Sequence, residues 1–150
     1  MKNLITAKQV VELAFGGDEL AHRELIAECD IVEAEERYIR PVIGDGLYEA
    51  LASGDYEGLM TEYVAPALAA WCRYIVEPLI EHRCSLCGDV SAAHNVRQAV
   101  VMRHLARRAS TLTRRLSRYL NANSDKFPEY NPKSNPLNRC SIYGSIVQVY

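Results

Sequence analysis

Apolar residues recur at helical spacing through most of the chain. Val10, Val11, Ala14 and Phe15 form a first stripe. Thr6-Ala7-Lys8-Gln9 opens it as a capping box, and Gly16-Gly17 closes it. Leu25, Cys29, Val32 and Ile39, with Ile31, Ala34 and Tyr38 beside them, predict a helix from near Asp18 or Arg23 to Arg40. Pro41 disfavours helix at Arg40, so this element is expected to end or kink there, with 42–46 as a turn. Asp45 is placed to cap a short helix carrying Leu47, Tyr48 and Leu51, with Gly54 just past its end. Met60, Tyr63, Val64, Ala67, Leu68, Trp71, Ile75 and Leu79 form the clearest stripe, which Pro66 kinks or restarts and Pro78 approaches the end of. Residues 82–89 read as a loop. Val96, Val100, Leu105, Ala109, Leu112, Leu116 and Leu120 predict the core face of a long helix from Ser91 or Asn95 to about Asn121.

The texture changes after Asn121. Pro128, Pro132 and Pro136 among several asparagines predict an extended arm or an ordered loop over 121–137. Residues 142–150 are β-branched and aromatic, which predicts a strand. A lone strand leaves its amides and carbonyls unpaired, so it is expected to form a hairpin around Gly144 or to pair with another chain. The expected class is all-α: a bundle of about five helices over 1–124, then a C-terminal arm over 125–150 ending in a short strand or hairpin.

Composition fits this picture. The 150 residues are 49% apolar and 24% charged, which suits one globular domain with one core. The longest apolar run, 64–72, is far short of the roughly 20 residues that span a bilayer, so no membrane partner is expected. Lys8, Gln9 and Glu12 interrupt any signal-peptide core. An odd count of five cysteines then suggests reduced thiols in a cytoplasmic setting.

Charge changes the picture more. The net −2 conceals a division in which residues 1–90 sum to −10 and residues 91–150 to +8. Residues 91–124 contain no acid and carry Arg97, Arg103, Arg107, Arg108, Arg114, Arg115 and Arg118. These fall mainly opposite the expected core stripe. Such a face can meet nucleic-acid phosphates, an acidic protein partner, or the acidic half of its own fold. Near-neutral total charge and the lack of interleaved aromatics weigh against a dedicated nucleic-acid binder. An acidic front and a basic back also suit head-to-tail contacts between copies.

Catalytic motifs are lacking. No phosphate-binding loop, dinucleotide glycine fingerprint, zincin helix or nucleophile elbow is present, so no enzyme and no cofactor are expected. The sharpest metal candidate is Cys84-Ser85-Leu86-Cys87 flanked by His82 and His94, whose donors could complete a tetrahedral zinc site. A single such pair is weak, and two free thiols in a loop are the simpler reading. Asp30, Glu33, Glu35 and Glu36 pair in sequence with Arg37 and Arg40, which favours a solvated helix face over an acid–base cluster.

Residues 31–44, reading IVEAEERYIRPVIG, followed by Leu47-Tyr48 and Leu51, resemble the opening helices of head–tail connector (neck or adaptor) proteins of tailed bacteriophages. The likeness is to those of phages and prophages of Bacteroidetes. Trp71 to Pro78, Tyr119-Leu120-Asn121 and Phe127-Pro128-Glu129-Tyr130 fit the same pattern, so the resemblance spans about residues 25–130. The Cys84–Cys87 segment and the strongly basic helix depart from it. The resemblance implies a non-catalytic virion protein, made in the host cytoplasm, that forms a ring with itself between portal and tail proteins. It leaves room for DNA contact in the channel. Ile142, Ile146, Val147, Val149 and Tyr150 are the expected subunit-arm contacts, and the seven arginines the expected partner or nucleic-acid surface. The alternative is a nucleic-acid-binding helical module using the arginines of 97–118.

Overall fold

A computed structural model describes residues 3–16, 26–84, 92–143 and 146–149. The class is all-α. The helices are α1 (Ala7–Ala14), α2 (Glu28–Ala34), α3 (Arg40–Ile43), α4 (Asp45–Ser53), α5 (Glu57–Leu59), α6 (Ala65–Cys84) and α7 (Ala92–Ala122). Single π-helical turns, Glu35–Ile39 and Met60–Val64, join α2 to α3 and α5 to α6. The described helices therefore run as five rods.

The two π turns explain why the prolines do not break the chain. Proline has no N–H, and its ring clashes with the carbonyl four residues back. Each π turn ends two residues before a proline: Arg40 N–H bonds to Glu35 O ahead of Pro41, and Ala65 N–H bonds to Met60 O ahead of Pro66. Widening the turn to i→i+5 makes room for the ring. Of the end or kink expected at Arg40, the end is corrected: the helix continues through the π turn to Ile43. Residues 82–84, expected in a loop, extend α6, and residues 85–91 lie outside the described chain.

Local signals acted as expected at α1. Gln9 N–H donates to Thr6 Oγ1 at 3.3 Å and Thr6 N–H to Gln9 Oε1 at 2.9 Å. Asp45 does not cap its own helix; its carboxylate takes the Arg40 Nε–H at 2.6 Å, and Gly44 is the N-cap. Gly54 closes α4 at φ +97°, a conformation that favours glycine.

Helix α6 is the hub, packed by α1, α2 and α7. Its buried positions include Ala65, Ala67, Leu68, Ala69, Ala70, Cys72 and Val76, which surround the rod rather than forming one stripe. Alanines let three helices approach closely. Arg73 caps the end of α1, donating to Ala14 O at 2.6 Å while lying 4.8 Å over the Phe15 ring.

The stretch 121–137 is an ordered loop that folds back on α7. Phe127 and Tyr130 are buried, and Asn135 is fully buried. Asn135 Nδ2 donates to Ser117 Oγ and to Tyr130 Oη, both at 2.9 Å, and its Oδ1 accepts the Leu137 N–H. Tyr130 O–H donates to Asn121 Oδ1 at 2.7 Å, and Asn121 and Asn138 exchange amide bonds. Gly46 admits this segment: a Cβ there would stand 3.3 Å from Glu129. Beyond it the backbone of Cys140–Tyr143 runs antiparallel to Ile146–Val149, with Ile142 opposite Val147.

The stripe assignments are corrected at Val32, Leu79, Val96 and Val100; Val32 and Leu79 are 42% and 46% exposed. Val96 and Val100 are 66% and 58% exposed. At about 100° per residue they lie opposite Leu105, Ala109, Leu116 and Leu120, because the step from Val100 to Leu105 is five residues rather than three or four. Val101 and Met102 take the inward side instead. Replacing Val96 and Val100 together by Ser is expected to leave stability within about 1 kcal/mol, whereas Leu105→Ala should cost about 2–4 kcal/mol. Urea titrations of the two variants check this.

Candidate interaction surface

All seven arginines of α7 are exposed. Arg103, Arg107, Arg114 and Arg118 fall within an arc of about 60° directly opposite the buried stripe, over a length of about 22 Å. Arg97, Arg108 and Arg115 flank this strip, with the Arg115 guanidinium 4.8 Å over the Tyr63 ring. Val96 and Val100 continue the same strip toward the start of α7.

The salt bridges among the described residues are Lys8–Glu12, Arg37–Glu33, Arg40–Glu36, Arg40–Asp45 and Arg73–Glu77. None involves α7. Of the three roles open to the basic face, neutralisation by its own acidic half gains no ion pair here. Exposed acids at Glu49, Asp55, Glu57 and Glu62 likewise have no ion-pair partner among the described residues.

Beside the strip lies an open groove of about 240 Å³, lined by Arg37, Tyr38, Trp71, Ser110, Arg114 and Pro136 among others. Tyr38 and Trp71 stack with centroids 3.8 Å apart and planes 1° from parallel. Trp71 Nε1–H donates to Thr113 Oγ1 at 2.9 Å, which fixes the indole against α7. Arg114 belongs both to the groove and to the strip. No acid lines this groove. The sequence hid the juxtaposition because Tyr38, Trp71 and Arg114 come from three different rods.

Glu35 departs from its neighbours. Glu33 and Glu36 lie on the solvated face and pair with Arg37 and Arg40 as their spacing predicts. Glu35 is 2% exposed, and its carboxylate accepts the Tyr48 O–H and the Leu4 N–H, each at 2.7 Å. Burial raises its pKa above the usual carboxylate value, opposed by these two hydrogen bonds and aided by the nearby Glu36 charge. The signal was its phase: Ile31, Glu35 and Ile39 are successive i,i+4 positions.

Of the zinc candidates, His82 and Cys84 lie on α6 and His94 on α7, while Cys87 is outside the described residues. Among the described residues no group of three or more His, Cys, Asp or Glu could hold a metal ion. Of the expected arm contacts, Ile142 is in the first paired segment and Ile146, Val147 and Val149 in the second; Tyr150 is outside the described residues. No described helix is long and apolar enough to cross a membrane.

Residues 89–139 match the model of a family described as a family of unknown function (DUF6712). The match takes in α7 and the segment that folds back on it, about a third of the chain. No curated protein and no solved structure matches.

Proposed function

We propose that this chain is a structural assembly protein of the head–tail connector kind, without catalytic activity. Copies associate into a ring through the C-terminal segment, and other surfaces meet portal and tail proteins. The observation that carries this reading is the antiparallel backbone pair of Cys140–Tyr143 with Ile146–Val149, which follows the buried anchor Asn135. A two-stranded ribbon is marginal alone, and each outer edge offers unpaired amides and carbonyls to another chain. A terminal strand or hairpin donated to a neighbour satisfies those groups. The resemblance over 25–130 supplies the kind of assembly.

Removal of residues 140–150 tests this. The core of the described residues lies upstream, so the melting temperature should stay within about 3 °C of the full chain. Sedimentation velocity should show concentration-dependent oligomers for the full chain and a monomer for the shortened one. A full chain that stays monomeric up to millimolar concentration, or a shortened chain that associates equally well, overturns the arm-mediated ring.

A second reading, a nucleic-acid-binding helical module, is favoured by the arginine strip. Four guanidiniums face solvent along α7 with no acid between them and no ion pair to the rest of the described chain.

A further inference from the structure

We propose that the Tyr38–Trp71 groove and the arginine strip together bind single-stranded nucleic acid. One base enters the groove, and the phosphates run along Arg107, Arg114 and Arg118. This rests on the second reading above and adds the strandedness of the ligand and a base-binding site.

The strip is cationic along its length. Successive guanidiniums leave α7 at rises of about 10 and 6 Å, so its complement is an extended polyanion rather than a single charge. The groove beside it holds about 240 Å³, below the roughly 300–1,000 Å³ of sites for drug-sized ligands, so it suits one ring system. Its lining combines the rings of Trp71 and Tyr38 with Pro41 and Pro136, Ser110 and Arg114. Arg37 is already bonded to Glu33 at 3.1 Å and its guanidinium lies 5.4 Å over the Tyr38 ring, which leaves Arg114 as the charge that links groove to strip and Trp71 as the ring left to meet a base.

A polyanion with rings spaced along it matches both features. Single strands pair a positive track with aromatic surfaces on which bases stack. A duplex keeps its bases inside its own stack and would use the strip alone. An acidic protein segment would match the charge but bring no ring system to the groove.

Trp71 is the sole tryptophan, so its emission reports the groove. The probes are a labelled oligothymidylate of about 20 nucleotides, its abasic counterpart, a duplex of equal length, and polyglutamate. Anisotropy measures binding and Trp71 emission measures occupancy of the groove. The oligothymidylate should bind and quench Trp71, with a log–log salt slope near −2 for about three phosphates. The abasic strand should bind more weakly without quenching. Replacing Arg107, Arg114 and Arg118 by Gln should cost about tenfold or more at low salt and flatten the slope. Ser110→Phe, which fills the groove, should abolish quenching and lower affinity for the oligothymidylate about tenfold, while abasic-strand affinity stays unchanged. Binding without quenching overturns the base site and leaves the arginine reading standing. No binding of any nucleic acid at low salt overturns both. Polyglutamate that binds more tightly than the oligothymidylate and quenches Trp71 overturns the proposal in favour of an acidic protein ligand.

Discussion

Replacing Asn135 by Leu should destabilise the fold by about 2–4 kcal/mol, among the largest effects of any single polar substitution in this chain. Asn135 is fully buried, and its amide bonds to Ser117 on α7, to Tyr130 and to the Leu137 amide. Leucine has the same branched skeleton with bulkier methyl ends, so no cavity opens and some overpacking adds to the cost. What is lost is the set of partners: the Leu137 N–H and the Ser117 and Tyr130 hydroxyls are left short of a bond in a dry site. The change also frees the segment that carries Phe127 and Tyr130 into the core. Urea unfolding should show the midpoint fall, and hydrogen exchange should show faster exchange over 124–139 than over α6. An Asn135→Leu variant as stable as the wild type would mean that the network contributes no net stability.

The second large effect is at Glu35. Glu35→Ala should cost about 2–4 kcal/mol, since it opens a cavity and orphans the Tyr48 hydroxyl and the Leu4 amide together. The pH dependence has a defined sign. Burial holds the folded pKa above 4.5, the ordinary value for glutamate, so the folded state binds the proton more tightly than the unfolded state does. The contribution of Glu35 is most favourable below that value and is lost as pH rises through the folded pKa. Between those two pH values the wild type should lose stability relative to Glu35→Gln, which cannot ionise. Stability curves of the two proteins should therefore converge at low pH and part as pH rises. Curves that stay parallel across this range would mean that Glu35 titrates alike in both states.

The phase of the apolar residues was legible through the middle and end of α7, though regular spacing also placed Val32 and Leu79 in stripes where they are exposed. Leu105, Ala109, Leu116 and Leu120 are buried as their spacing requires, and the capping box at Thr6 forms between neighbours in sequence. The same rule failed at Val96 and Val100, where a five-residue step turns the side chains to the other face. Glu35 was hidden among acids whose helical partners made a solvated face the simpler reading, although its register with Ile31 and Ile39 marked it.

By itself, then, the sequence determined the all-α class, the main helices, the i,i+4 ion pairs of Glu33 and Glu36, and the acid-free arginine helix. All of these depend on residues within a few positions of one another. Only the tertiary structure decided that Pro41 and Pro66 follow π turns, since room for the ring depends on backbone widening that propensity does not encode. Only it placed Asn135 against Ser117 and Arg114 beside Tyr38 and Trp71, because those meetings depend on how separate rods pack around α6. The basic surface was therefore readable from the chain, while the aromatic groove beside it arises from long-range packing.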